Sequence, residues 1–112
     1  MKITLPLPSS KLSPNARTHW RSKSGLTKAA RERARLAVLS LCPGFIAAGY
    51  SMAFFWPDRR RRDDDNAEAS CKAYRDGIAD ALGMDDHKLP KALLSTFEVD
   101  RQNPRLEITL HP

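Results

Sequence analysis

The chain has two cysteines, Cys42 and Cys71. Two at this spacing make neither a zinc motif nor a disulfide framework. Each sits in an apolar helical pattern, which reads as a reduced, buried thiol and suits a reducing cytosol. No stretch approaches the length of apolar residues needed to span a bilayer. The opening Met1-Lys2-Ile3-Thr4-Leu5-Pro6 lacks the apolar run of a secretory signal. We therefore expect a soluble, cytoplasmic protein with no membrane partner. There is no internal repeat. A length of 112 residues leaves room for one core, so residues 1–112 are expected to form a single domain. Acidic residues are the minority, with 13 Asp and Glu against 19 Lys and Arg for a net charge of +6. Such an excess raises the local concentration of phosphate backbones and points to nucleic acid. The plainer alternative is that the charge only confers solubility.

Alternation and helical spacing place the elements. Lys2–Leu7 alternates polar and apolar and predicts a short strand, with Pro6 and Pro8 at its edge or end. Ser9–Gly25 reads as a polar loop. Ala30, Ala34, Ala37, Val38 and Leu41 fall at helix spacing and predict a helix over Leu26–Leu41, stopped by Pro43-Gly44. Tyr50, Met52, Phe54 and Trp56 alternate, predicting a central strand over Ala47–Trp56. Cys71, Tyr74, Ile78, Ala81 and Leu82 mark a second helix over Asp65–Leu82, closed by Gly83. Two more alternating stretches, Leu93–Val99 and Leu106–Leu110, predict a hairpin turned by Arg101-Gln102-Asn103-Pro104. The expected fold is an α+β domain with one mixed or antiparallel sheet and two main helices, in the order β-α-β-α-β-β.

Four arginines meet three aspartates in Asp58-Arg59-Arg60-Arg61-Arg62-Asp63-Asp64-Asp65-Asn66. A solvated, self-neutralising charge block is one reading. The position, between a hydrophobic strand and an amphipathic helix, favours a site. Phosphodiester hydrolysis needs a metal to polarise the phosphate and activate water. Mg²⁺ takes a few carboxylates and several waters. If the strand pattern continued to Asp63 and Asp65, both carboxylates would share a face, and Asp64 would point away. The neighbouring arginines, Arg59, Arg60, Arg61 and Arg62, suit bidentate contacts to phosphates.

At about 100° per residue, Lys72 lies roughly 20° from Asp65 around the helix and Asp76 roughly 20° to the other side. Lys72 offers an ammonium to a phosphate or a developing oxyanion. Its plainer role is an i, i+4 ion pair with Asp76. Beyond the helix, Asp85 and Asp86 stand where the helix dipole disfavours acids. His87 is expected at the surface rather than on a metal, because the other donors are hard oxygens. Upstream, Lys11, Arg17, Arg21 and Lys23 are expected to contact phosphates. For Trp20 two roles compete, stacking on an unpaired base or anchoring the loop to the core. We expect the anchor.

The run from Asp58 to Asn66 closely resembles the signature of the RusA-type Holliday junction resolvases, in which arginines lead into Asp-x-Asp-Asn. In that family a helix bearing a lysine follows, then a turn and an Asp-Asp pair. Here the helix reads Lys72-Ala73-Tyr74-Arg75-Asp76-Gly77-Ile78 and the pair is Asp85-Asp86. The strand and proline-rich loop around Asn15–Arg21 are similar as well. The resemblance implies a Mg²⁺-dependent crossover junction endonuclease of recombination and repair, found in bacteria and prophages, for which Mn²⁺ is a possible substitute metal. It implies that Asp63, Asp65 and Asp86 are catalytic metal ligands and that Lys72 is the helix lysine. Glu68, between Asn66 and Lys72, is a possible extra carboxylate. It further implies a homodimer, since two symmetric cuts in a four-way junction ask for two sites related by a two-fold axis. The competing functions are a non-catalytic basic DNA-binding protein and a metal-dependent nuclease for flaps or forks.

Overall fold

A computed structural model describes residues 1–13, 16–17, 19–41 and 44–112. Four strands form one sheet. β1 (Lys2–Leu5) and β2 (Gly49–Trp56) flank β4 (Arg105–His111), which is antiparallel to both, and β3 (Thr96–Val99) lies parallel to β2 at the edge. The sheet is therefore mixed, and the domain is α+β.

Alternation dictates which face is buried. Ile3 and Leu5, Tyr50, Met52 and Phe54, and Leu106, Ile108 and Leu110 are all buried. The register aligns Ile3 with Ile108 and Ile108 with Met52, so the inward residues form continuous rows. Helix α1 (Trp20–Leu41) adds Ala34 and Val38 to this core, and α3 (Lys72–Leu82) adds Tyr74 and Ile78. The other face carries Lys2, Glu107 and Arg105, linked by ion pairs at 3.3 and 2.8 Å. Among the described residues, no helix is long and apolar enough to cross a membrane.

Four local outcomes differ from the sequence reading. First, α1 begins at Trp20 rather than Leu26. His19 Nδ1 accepts the N–H of Arg21 at 3.3 Å, capping a first turn whose arginine and lysine are good helix formers without any apolar period. Second, the single helix expected over Asp65–Leu82 is two, α2 (Asp64–Ala69) and α3. Ser70 Oγ donates to Asn66 O at 2.7 Å, and the Cys71 N–H turns back to Glu68 O, three residues away. Serine back-bonding of this kind bends helices without glycine or proline. Third, three strands are shorter than expected: β1 ends at Leu5, β2 starts at Gly49 and β3 starts at Thr96.

Fourth, the tail is not a hairpin. β4 pairs with β1 and β2, while β3 pairs with β2 in parallel. Alternation identified both strands but carries no information about partners. The four residues of β3 are mostly exposed, which suits a short edge strand. A parallel pair needs a long crossover, and residues 57–95, which hold α2 and α3, supply it.

Gly83 closes α3 as expected. Its φ of +66° permits the Met84 N–H to reach Ala79 O and its own N–H to reach Asp80 O. Cys71 is fully buried, and burial pushes its thiol up to about 12, so it is inert packing rather than a nucleophile. Cys42 and Pro43 lie outside the described residues.

Glu68 ties α2 to the segment before β3. Lys91 Nζ donates to it at 3.0 and 3.1 Å, and the Ser95 hydroxyl also donates to it. Burial acts to raise its pKa, but Ser95 and Lys91 outweigh burial and hold the carboxyl below the usual glutamate range. A depressed pKa adds stability above the unfolded-state value, and that stability is lost as pH falls through the folded-state value. Glu68→Gln is therefore expected to cost about 1 kcal/mol, or about 4 °C in Tm, at pH 7. The gap from wild type should narrow as pH falls below the ordinary glutamate range and the carboxyl takes up its proton. Thermal melts across that range check it, and a gap that stays constant with pH would contradict the tie.

Candidate functional site

The Arg-run does not extend β2. The strand ends at Trp56, and residues 57–63 form a loop leading into α2. Asp63 and Asp65 therefore do not share a strand face, which corrects that part of the sequence reading. Asp63 is the N-cap of α2. Its Oδ1 accepts the N–H groups of Asp65 at 2.9 Å and Asn66 at 3.3 Å. Asp64 and Asp65 occupy the first turn, where the helix dipole favours acids, and both are exposed.

Arg62 is built into this loop. Its guanidinium donates to Asp58 Oδ1 at 2.8 Å, to Arg60 O at 3.0 Å and to Asp58 O at 3.2 Å. It also lies 4.5 Å from the ring centroid of Trp56, which stacks on Phe54. With 18% of its side chain exposed, Arg62 shapes the loop, whereas Arg59, Arg60 and Arg61 are exposed and free to meet phosphates. Nothing in the sequence run distinguished the four. Arg62→Ala is expected to lower stability by about 1–2 kcal/mol, and Tm with it, through the lost bonds and ring contact. Arg61→Ala should leave Tm unchanged, and the nucleic-acid reading of these exposed arginines expects it to reduce the salt slope of DNA retention by about 1. Equal effects of the two variants in both assays would contradict this division.

Lys72 opens α3. Its Nζ lies 3.2 Å from Asp76 Oδ2 and 4.0 Å from Asp86 Oδ2, so one ammonium stands between two carboxylates. The i, i+4 pair with Asp76 is present, and Asp86 is brought to the same ammonium from beyond the helix. The agent is the turn after Gly83, with its short 3₁₀ segment Asp86–Lys88. Asp85 caps that segment, accepting the His87 N–H at 3.1 Å. This bond is the main reason its carboxyl sits below the usual aspartate range, with Asp86 adding to it. The two acids thus differ: Asp85 makes the turn, and Asp86 faces Lys72.

Three neighbouring cavities, each sharing a lining residue with the next, lie along these groups. The first, of about 420 Å³, is lined by Arg60, Arg61 and Asp63 among others. The second, of about 380 Å³, holds Lys23, Lys72 and Asp76 and shares Ser70 with the first. The third, of about 200 Å³, holds Asp85 and Asp86 and shares Asp76 with the second. Arg31 lies in this third cavity and forks onto Asp80 at 2.6 and 2.8 Å. The Arg31 hydrogen bond is the chief cause of the lowered Asp80 carboxyl, which stays an ion.

Among the described residues, one group of three metal-capable side chains has ligand atoms within 4.8 Å of one another: Asp85, Asp86 and His87. Asp63, Asp65 and Asp86 do not form such a group. Carboxylates are the hard donors Mg²⁺ takes, and one or two with waters suffice, so Asp86 and its neighbours fit that ion. His87 is exposed, as expected. His111 accepts from or donates to Ser51 at 2.9 Å, away from the acids. Glu68 is engaged with Lys91 and Ser95, not with the groove acids.

Of the upstream cations, Lys11 lies on a 3₁₀ turn and Arg17 in the following coil, both exposed. Arg21 and Lys23 lie on α1, and Lys23 lines the second cavity beside Lys72. Trp20 does not anchor anything to the core: 68% of it is exposed.

No family model matches the chain. A protein of Xylella fastidiosa, described only as uncharacterized, is 47% identical over 104 residues, covering 87% of this chain and 67% of its own length. The chain belongs to that protein's family. That relative carries no stated activity.

Proposed function

We propose that this protein is a Mg²⁺-dependent endonuclease of the RusA type, which resolves four-way DNA junctions by paired nicks. In this reading it works as a cytoplasmic homodimer in recombination and repair. The observation that carries the proposal is a row of neighbouring cavities, here called the groove, lined by both cations and carboxylates: Arg60, Arg61 and Asp63 in the first, Lys23, Lys72 and Asp76 in the second, Asp76 and Asp86 in the third. A solvated charge block would have no reason to line neighbouring cavities with both signs of charge. A nuclease has one, since it must hold a polyanion against carboxylates that would otherwise repel it.

When bound, Mg²⁺ would supply a polarised phosphate and an activated water. Asp86 would hold the ion from the turn beyond α3, with Asp63 and Asp65 contributing from the start of α2. Lys72 lies between Asp76 and Asp86, so its ammonium is held where a phosphate oxygen can meet it. Arg59, Arg60 and Arg61, with Lys11, Arg17, Arg21 and Lys23, would grip the junction arms through the backbone. Two subunits related by a two-fold axis would make the two cuts symmetric.

The test incubates the protein with a four-way junction, a flap and a linear duplex, with and without Mg²⁺. Paired nicks in opposite arms of the junction, seen only with Mg²⁺, are the expected result. Retention of all three DNAs uncut would make this a basic binding protein. Cutting confined to flaps would make it a nuclease of another specificity.

A further inference from the structure

An exposed tryptophan is an expensive surface feature, and Trp20 is the most exposed aromatic among the large hydrophobic residues described. Its ring lies 5.9 Å from the His19 ring, at an interplanar angle of 26°. The Arg21 guanidinium sits 5.2 Å from its centroid. Even with both neighbours, two thirds of its surface faces solvent, so the ring is displayed rather than packed.

Its place on the helix matters more. Residues three, four and seven apart share a helix face. Lys23 and Thr27 line the cavity that also holds Lys72 and Asp76. Trp20 stands three residues before Lys23 and seven before Thr27, on the same side of α1 and one turn beyond the cavity wall. Helix spacing thus carries Trp20 on the cavity side of α1, one turn before the residues that line it. A flat apolar ring flanked by Arg21 and Lys23 matches the recurrent design for single-stranded nucleic acid, in which cations track the backbone and an aromatic face takes a base.

We propose that Trp20 is a stacking platform for an unpaired nucleobase of the DNA bound in the groove. The inference rests on the nucleic-acid reading of that groove and names what the groove recognises, a splayed or single-stranded nucleotide beside the cut. The Arg21 cation keeps the ring's electron-rich face engaged, and Lys23 meets the adjoining phosphate. Neither contact requires a particular base, so the platform is indifferent to sequence.

The test compares wild type, Trp20→Ala and Trp20→Phe on a short poly-dT single strand, a four-way junction and a blunt duplex, by fluorescence anisotropy. Loss of one stacked base costs on the order of tenfold in affinity. The expected pattern is a loss of about tenfold on the single strand and the junction for Trp20→Ala, little change on the duplex, and recovery of most of the loss by Trp20→Phe. Equal affinities for wild type and Trp20→Ala on all three DNAs would overturn the platform while leaving junction cutting intact. A uniform loss on all three would also overturn it. So would a Trp20→Ala variant that weakens self-association in sedimentation instead, which would assign the ring to a protein contact. Wild type that retains none of the DNAs would overturn the platform and the nuclease together. Wild type that binds but never cuts, with the tenfold pattern intact, would overturn the nuclease alone.

Discussion

Asp86→Asn is expected to reduce Mg²⁺-dependent junction cutting at least about a hundredfold while junction retention stays at or above the wild-type level. The substitution keeps shape and removes one charge. A metal ligand contributes several kcal/mol of charge stabilisation at the reacting phosphate, and each 1.4 kcal/mol is tenfold in rate. Under the proposed function binding should not suffer, because removing a carboxylate from the groove relieves repulsion of a DNA backbone. Folding does not suffer either: Asp86 is 40% exposed on its side chain, and Lys72 keeps its closer partner Asp76. Asp85→Asn is the matched comparison. An asparagine oxygen still caps the turn by accepting the His87 N–H, so cutting should fall only slightly. Single-turnover cleavage of a labelled junction, beside gel retention, separates the two. Equal losses for both variants would contradict the division of labour between the adjacent acids.

The largest expected effect on stability comes from a residue with no side chain. Gly77→Ala should lower Tm by about 10 °C or more, although alanine is the better helix former by about 1 kcal/mol. A Cβ at Gly77 would lie 2.0 Å from the carbonyl oxygen of Arg31 and 3.1 Å from Ala34 Cβ. The first of these is backbone, so α1 and α3 would have to separate, and forced overpacking costs typically 1–3 kcal/mol and occasionally more. The separation would also disturb the Arg31–Asp80 fork and the third cavity, so cutting should fall along with Tm. Gly25→Ala is the control: nothing lies within 4 Å of its Cβ position, and there the better helix former should be neutral or slightly stabilising. Thermal melts of the two variants check this. A Gly77→Ala protein as stable as wild type would mean that the two helices are not held this closely.

These outcomes show what the sequence made legible. The alternation of Tyr50, Met52 and Phe54 located β2 and its buried face, because period-2 burial is a local property. The spacing of Tyr74 and Ile78 located α3 for the same reason. Partner choice was not legible: β3 and β4 are neighbours in sequence but not in the sheet, and alternation says nothing of pairing. The helix break at Ser70 was hidden because a serine back-bond, unlike proline or glycine, leaves no strong sequence signal.

The site divided along the same line. The pairing of Lys72 with Asp76 followed from helix spacing and is present on α3, whereas Asp65, expected on the same stripe, lies on α2 beyond the break at Ser70. The separate fates of Arg61 and Arg62, and of Asp85 and Asp86, depend on tertiary partners such as Trp56 and Lys72, which no local pattern specifies. Trp20 was expected to be an anchor because buried tryptophans are the common case. Its exposure became visible only with α1 extended to carry it past the groove.

The most direct measurement is a crystal structure of the protein soaked in Mn²⁺, read by anomalous scattering. The account predicts a manganese ion in the groove held by Asp86, with the carboxylates of Asp63 and Asp65 drawn into its shell. Manganese absent from the groove, or bound by Asp85 and His87 with Asp63 and Asp65 remaining apart from it, would contradict the account.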